Sequence, residues 1–540
     1  MRDLCAAAVD AASGAGAEYA DARVVAKRNQ FVATKNGRVE RLADSDSEGI
    51  GVRVLVNGAW GFACDRRLSG EGAREAALRA CTFARASGGR HSRQLAPVAP
   101  ASATHRTSVE RDPFEVSLDE KVAQCLAADE GLAGPDIVVR QAMVRAQREH
   151  KLLLTSEGTE VEQELIECGA GIECAAARDG VFQMRSYPSA HVGSSCQSGW
   201  EYVDGLDLSG EAPRVAEQAA ALVRADVCPS GVMTVVLDGD QVALQVHESV
   251  GHPTELDRVY GSEASYAGTS FLKADDLGSL RYGSDLMNVT ADPTTAGGLG
   301  SFAFDDEGVP AERTAVVEGG LLTGFLTSRE TAARIGAGNG GSMQYGSDLM
   351  NITADPTTVG GLGSFAFDDE GVPAERTAVV EGGLLTGFLT SRETAARIGA
   401  GNGGSMRSDG WNRMPLVRMT NLHLEPGSGT LDDLLADVSD GVYMETNRSW
   451  SIDDKRLNFQ FGTQIAWEIK GGKLGRMLRD ATYTGITPKF WGTLDAVAGR
   501  DSWRLYGLTN CGKGQPGQSA HVSHGAAPAR FRDVQVGVRS

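Results

Sequence analysis

Residues 3–16 carry the apolar spacing of an amphipathic helix, and short strand-like segments follow them. The clearest is Val52-Arg-Val-Leu-Val56, then Asn57-Gly58, then Ala59-Trp-Gly-Phe-Ala63. Asn-Gly between two apolar runs predicts a hairpin, because both turn residues must take positive φ. Helices are expected near 69–87 and 118–131, separated by a Pro/Ala/Ser-rich connector from Ala96 to Ser102. Hairpin-like patterning returns from Ile137 to about Met184. Helices and strands come in blocks, without regular strand–helix–strand alternation, which argues for an α+β fold with an antiparallel sheet. Val227-Cys-Pro-Ser-Gly231 precedes a new strand, Val232–Leu237. A domain boundary is placed there, between an N-terminal α+β domain (1–228) and a larger β-rich domain (229–540).

The second part contains a tandem repeat. Tyr282–Met343 and Tyr345–Met406 align at a period of 63 residues and differ only at Val289/Ile352 and Ala296/Val359. Solenoid repeats diverge outside their core positions, so two near-identical copies point to a tandem duplication or a sequence-assembly error. Each copy predicts two strands joined by Gly-Gly, Thr314–Val317 with Leu321–Leu326 and Thr377–Val380 with Leu384–Leu389. A helix should follow, opened by Thr327-x-x-Glu330 or Thr390-x-x-Glu393 and closed by Gly336 or Gly399. If the fold has one slot for this unit, the other copy must loop out, dock on the surface or displace the first.

Composition narrows the function classes. With 52 Lys+Arg against 71 Asp+Glu, 52 − 71 gives a net charge of −19, and such a chain repels phosphate. Nucleic-acid binding is therefore not expected. No run approaches the 18 apolar residues of a membrane span, and Asp3 and Asp10 interrupt what a signal peptide would need. Nine cysteines, odd in number and scattered, suit a reducing cytoplasm better than a disulfide framework. Glycine, at 68 of 540, is nearly twice its usual share of about 7%, which predicts many tight turns between strands.

The sharpest motif is His247-Glu248-Ser249-Val250-Gly251-His252, on a helix expected to begin at Asp240 as N-cap. Neutral imidazole is a zinc ligand, and a carboxylate beside it can accept a proton from water the metal activates. Histidines four apart differ by about 40° on a regular helix, whereas five apart differ by about 140°. Two routes close that angle. Pro253 disfavours the α region for His252 and can place it past the helix end; a π-bulge is the other. Two histidines leave zinc a protein ligand short. Glu255 and Asp257 are near candidates, and Cys511 in Thr509-Asn-Cys-Gly-Lys-Gly-Gln-Pro-Gly-Gln518 is a distant one. The surrounding glycines predict an accessible thiol, and Lys513 would favour its thiolate. Cys511 can equally be a buried cysteine in a tight turn. His521 and His524 are read as surface histidines or as supports behind a ligand.

The H-E-x-x-G-H motif after a short strand, the late Asn-Cys-Gly-Lys-Gly, and Gly-Ser-Phe-Ala-Phe-Asp-Asp-Glu-Gly-Val-Pro-Ala-Glu-Arg-Thr together resemble the TldD/PmbA family of zinc metallopeptidases. Ala20-Asp-Ala-Arg23 and the Gly49–Ala63 stretch extend the resemblance over nearly the whole chain. It is to the catalytic TldD side, since partner-type subunits lack the metal motif. The resemblance implies His247, His252 and Cys511 as zinc ligands and Glu248 as general base. It also implies an α+β N-terminal part, a β-rich C-terminal part, and pairing as a homodimer or as a heterodimer with a TldE/PmbA-like paralogue. The implied activity is hydrolysis of unfolded or short peptides. An older family label, modulator of DNA gyrase, would need a basic surface that this composition does not provide. The duplication lies between the two halves of the metal motif, which raises a second reading: a noncatalytic binding or regulatory subunit. A third, copper electron transfer through His₂Cys, gives Glu248 no purpose.

Overall fold

The computed structural model describes the chain except residues 89–99, 191–192, 274–275, 277, 306–310, 312, 328–351, 355–363, 370–376, 382–383, 386–405 and 538–540. For the strands between 352 and 385 it describes the backbone alone. The architecture is α+β. Long antiparallel strands, Tyr19–Lys35, Arg38–Val56, Ile137–Thr155 and Glu160–Arg178, form the centre of an eight-stranded sheet. Asn57 and Gly58 take φ of 51° and 71° and turn Arg38–Val56 into Ala59–Asp65, as the Asn-Gly pair requires.

Helix Gly70–Ser87 is capped by the Ser69 hydroxyl and buries an alanine face (Ala73, Ala76, Ala77, Ala80, Ala84) against this sheet. Small side chains allow that approach. A Cβ at Gly61 would stand 2.1 Å from the Ala80 carbonyl, so the contact admits only glycine. Helices Leu118–Gly131 and Leu208–Leu222 cover the other end of the sheet, around Cys125, Trp200 and Val215. Residues 96–99 of the Ala96–Ser102 connector lie outside the described residues; strand Ser102–Arg106 begins at its last residue.

Two further sheets enclose one large core from Cys228 to Val536. One has eight strands, with Gly231–Leu237 parallel to Asp440–Ile452 and antiparallel to Ala529–Val536. The other has six, ordered Leu321–Leu322, Thr314–Glu318, Val289–Ala291, Leu422–Leu424, Gln518–Ala526 and Arg504–Lys513. Helix Gly239–Val246 lies between these sheets with every residue buried, and so aims its C-terminal end into the core.

The first repeat copy supplies three strands of the six-stranded sheet, and Val289–Ala291 pairs directly with Leu422–Leu424. The Gly-Gly pair joins Thr314–Glu318 to a second strand shorter than expected, which ends at Leu322. Ile352–Ala354, Thr377–Glu381 and Leu384–Leu385 repeat the same pairing, bulge included, in a separate three-stranded sheet. Phe302–Asp305 runs parallel to the second copy's Ser364–Asp369. The capping-box helices lie outside the described residues. Chain from the end of the second copy rejoins the core: Met406 is buried, pairs with Val417 and donates its N–H to Asp305 Oδ2 at 2.7 Å. Because Met343 and Met406 end equivalent copies, a chain lacking 344–406 joins Met343 to Arg407 with one copy in place. That deletion should melt cooperatively at the midpoint of the full chain, as read by circular dichroism; failure to fold would show that the second copy is structural.

Candidate metal centre

The site begins where helix Gly239–Val246 stops being regular. Its N-cap is Asp238, whose side chain accepts from the Asp240 N–H at 3.3 Å, so the helix starts ahead of the expected Asp240. From His247 to Gly251 the chain widens into a π-helix, and the His252 N–H bonds back to the His247 carbonyl. In an i→i+5 repeat, residues five apart meet on one face. The two imidazoles stand 4.9 Å apart at 82°. The π route thus closes the angle, and His252 stays helical at φ −60°, ψ −41° rather than leaving the helix. Pro253 is accommodated because it opens a 3₁₀ turn, His252–Thr254, whose Thr254 hydroxyl donates to the Val250 and Gly251 carbonyls at 2.8 and 3.0 Å.

The widened turn is held from behind by a buried polar network. Trp491 Nε1 donates to Ser249 Oγ at 2.9 Å, Tyr282 OH to the Ser249 carbonyl, and Tyr483 OH to Gln245 Oε1 at 2.9 Å. A Cβ at Gly251 would stand 2.1 Å from Met419 Sδ, so glycine lets the turn pack there.

Cys511 arrives on Arg504–Lys513, the outer strand of the six-stranded sheet, opposite Ala520. The register slips between Leu508 and Cys511, leaving Thr509 and Asn510 without ladder partners on Gln518–Ala526. Such a bulge re-aims the side chains around it. One donor atom from each of His247, His252 and Cys511 lies within 4.8 Å of the others, and these three side chains could hold a metal ion. The thiol is buried, not accessible as its glycines predict, because the histidine turn covers it.

Hydrogen bonds orient both rings. His524 Nδ1 faces the Leu422 carbonyl at 3.1 Å and must donate, so its Nε2 accepts; His247 Nδ1 meets that Nε2 at 2.7 Å and donates. His247 Nε2 is left facing the donor group; without a metal the Cys511 thiolate favours a proton there, and a metal ion would take that lone pair instead. His252 Nδ1 donates to Glu255 Oε2 at 3.0 Å, which likewise frees its Nε2. Ligand histidines characteristically anchor their second nitrogen in this way. Burial holds His252 and His524 well below the ordinary imidazole range, so both are neutral at neutral pH.

Glu255 and Asp257, the nearby alternatives for a third donor, are engaged elsewhere. Lys513 Nζ sits 3.2 Å from Glu255, 2.9 Å from Asp257 and 3.0 Å from Glu263, all buried. Lys513 therefore clips the cysteine strand to the histidine segment and does not serve the thiol. Burial alone would raise the Cys511 thiol; His247, then Arg418, outweigh it and hold it well below the ordinary thiol range. Arg418 also donates to the Cys511 carbonyl. Glu248 is buried and accepts from Arg456 Nη1, a partner that nothing local in the sequence signals. His521, on the same hairpin as His524, meets Glu167 Oε2 at 2.6 Å and lies outside the donor group. No helix among the described residues is long and apolar enough to cross a membrane.

Comparison with known proteins places this arrangement. The PmbA/TldA metallopeptidase C-terminal domain model matches residues 230–347 and again 342–538, each match containing one repeat copy. The family's domain 1 model matches 20–84 and its central domain model 111–226. A metalloprotease of Methanocaldococcus jannaschii is 26% identical over 517 residues, 95% of this chain and 96% of that one. A protein of Saccharolobus solfataricus named zinc metalloprotease TldD homolog is 24% identical over 195 residues, 36% of this chain and 43% of its own. TldE from Thermococcus kodakarensis shares the fold at a TM-score of 0.68 and 14% identity, over 99% of this chain and 100% of that one. The chain belongs to the PmbA/TldD family and is a metallopeptidase.

Proposed function

We propose that the protein is a zinc-dependent peptidase acting on unfolded or short peptides, with His247, His252 and Cys511 as metal ligands and Glu248 as general base. The observation that carries this reading is the convergence of two oriented imidazoles and a buried thiol, from opposite ends of one core, beside a buried carboxylate. Two nitrogens and one sulfur suit zinc, whose catalytic sites keep three protein ligands and one open position. The name of the Saccharolobus relative supports the same metal. When bound, zinc polarises a peptide carbonyl and activates water. Glu248 would accept a proton from the attacking water and return it to the leaving amine. Arg456 fixes Glu248 Oε2 and leaves Oε1 without a protein hydrogen-bond partner among the described residues.

The bulge leaves Thr509 and Asn510 without ladder partners on Gln518–Ala526, and an extended peptide bound beside them would be read by main chain more than side chain. The ground for a noncatalytic subunit was the duplication, yet the three donors meet across it. Pairing with a second subunit, of this chain or of a TldE/PmbA-like paralogue, is part of this proposal, supported by the Thermococcus neighbour. Sedimentation velocity checks it. A reducing cytoplasm is supported by nine cysteines that are all free thiols.

Stripping the metal with a chelator should stop hydrolysis of a denatured protein, and one equivalent of zinc should restore it; hydrolysis that persists in metal-free protein would sink the proposal. His524→Phe removes the acceptor behind His247 and should weaken zinc binding about 10–100-fold, measured by competition with a chromophoric chelator.

A further inference from the structure

We infer that Arg145 anchors a carboxylate of the peptide substrate, which assigns a substrate feature to the peptidase site proposed above and rests on that reading. Arg145 lies on Ile137–Thr155, between Phe31 and Gly169 of the neighbouring strands. Its side chain leaves the N-terminal sheet for the metal-bearing hairpin, where Nη1 donates to Thr509 Oγ1, while Nε donates to Ser195 Oγ at 2.6 Å. Thr509 stands two residues from Cys511. Two strand steps of about 3.3 Å put the Thr509 end of this contact roughly two peptide residues along the chain from Cys511, with the bulge between them.

Two cavities meet at this guanidinium. One, of about 130 Å³, opens between helix residues Asp240 and Leu244 and strand residues Gly507 to Asn510. The other, of about 210 Å³, opens toward Gln147, Glu167 and His521. A charged group facing such space is expected to have a counter-ion. Arg53 has Asp21, Arg258 has Glu263, and Arg185 has Glu445. Among the described residues no carboxylate pairs with Arg145, and its Nη2 has no partner. Neither carboxylate lining the cavities forms an ion pair with it: Glu167, whose charge acts on Arg145 from a distance, meets His521, and Asp240 accepts from the Ser189 hydroxyl at 2.7 Å. Burial lowers Arg145 to about 10, which leaves it protonated at neutral pH. A planar guanidinium with a free edge matches a carboxylate, whether it comes from a peptide C-terminus or from an acidic side chain.

The test uses the zinc-loaded full chain and three N-acetylated peptides of one neutral sequence: a free acid, a C-terminal amide, and an amide carrying one Glu. The wild type should favour a carboxylate-bearing peptide about tenfold or more in kcat/KM over the neutral amide, chiefly through KM. Preference for the free acid alone assigns a C-terminal anchor, and preference for the Glu peptide alone assigns a side-chain anchor. Arg145→Gln should bring the ratio to about one, and Arg145→Lys should keep part of it. Calorimetry of all three peptides on metal-free wild type reads the same preference without turnover and without a variant that must fold. Equal binding of all three, or a ratio unchanged by Arg145→Gln, overturns the anchor. Failure of the wild type to cleave any of the peptides overturns the peptidase reading instead, and calorimetry still judges Arg145.

Discussion

Glu248→Gln should bind zinc as the wild type does while losing peptide hydrolysis by about 10²–10⁴-fold in kcat. The amide keeps the shape of the side chain and can still meet Arg456, so the buried turn has no cause to rearrange. What it cannot do is take a proton from water. None of the orienting bonds behind the three candidate ligands passes through Glu248, which is why metal content and turnover should separate. Metal analysis beside single-turnover hydrolysis of a denatured substrate checks both halves. Near-normal turnover would remove Glu248 from the mechanism, and loss of zinc would make it a structural residue.

Lys513→Met should destabilise the fold by about 3–5 kcal/mol at neutral pH, the usual cost of leaving buried charge unpaired. The substitution leaves Glu255, Asp257 and Glu263 in a buried site with Arg258 as the remaining cation. Burial already raises Asp257 to about 6 with Lys513 opposing it, and without Lys513 it rises further. A carboxylate whose folded pKa stands above its unfolded value, near 4, takes up a proton on folding. Its penalty is therefore largest above the folded pKa and fades as pH falls toward the unfolded one. The deficit of the variant against wild type should shrink between pH 7 and about 5, measured by urea unfolding at each pH. A deficit that grows on acidification would contradict the assignment of these carboxylates as the unpaired groups. Because Glu255 also holds His252, the same variant should bind zinc more weakly.

What could be read from the sequence was what neighbours in sequence decide. The Asn57-Gly58 turn, the helix capped at Ser69 and the block order of helices and strands follow from local backbone preferences. His247 and His252 declared themselves by type and spacing. The way they meet did not, because the steric rule at Pro253 pointed out of the helix while the buried network around Ser249 keeps the turn wound. Cys511 was visible only as a cysteine among glycines, and its burial comes from a segment hundreds of positions earlier. Lys513 was assigned to the thiol by proximity in sequence, whereas three carboxylates of residues 255–263 claim it in space. Arg456, Arg418 and Arg145 carry no local signal, since each acquires its role from a partner far away in sequence. The repeat was plain in sequence, but which copy fills the six-stranded sheet depends on pairing with Leu422–Leu424.

Zinc-edge X-ray absorption of the purified chain reads the inner sphere directly. A mixed sphere of one sulfur at about 2.3 Å and two imidazole nitrogens at about 2.0–2.1 Å is the expected result, with the sulfur shell absent from Cys511→Ser. A sphere of nitrogen and oxygen only in the wild type would contradict a site closed by Cys511.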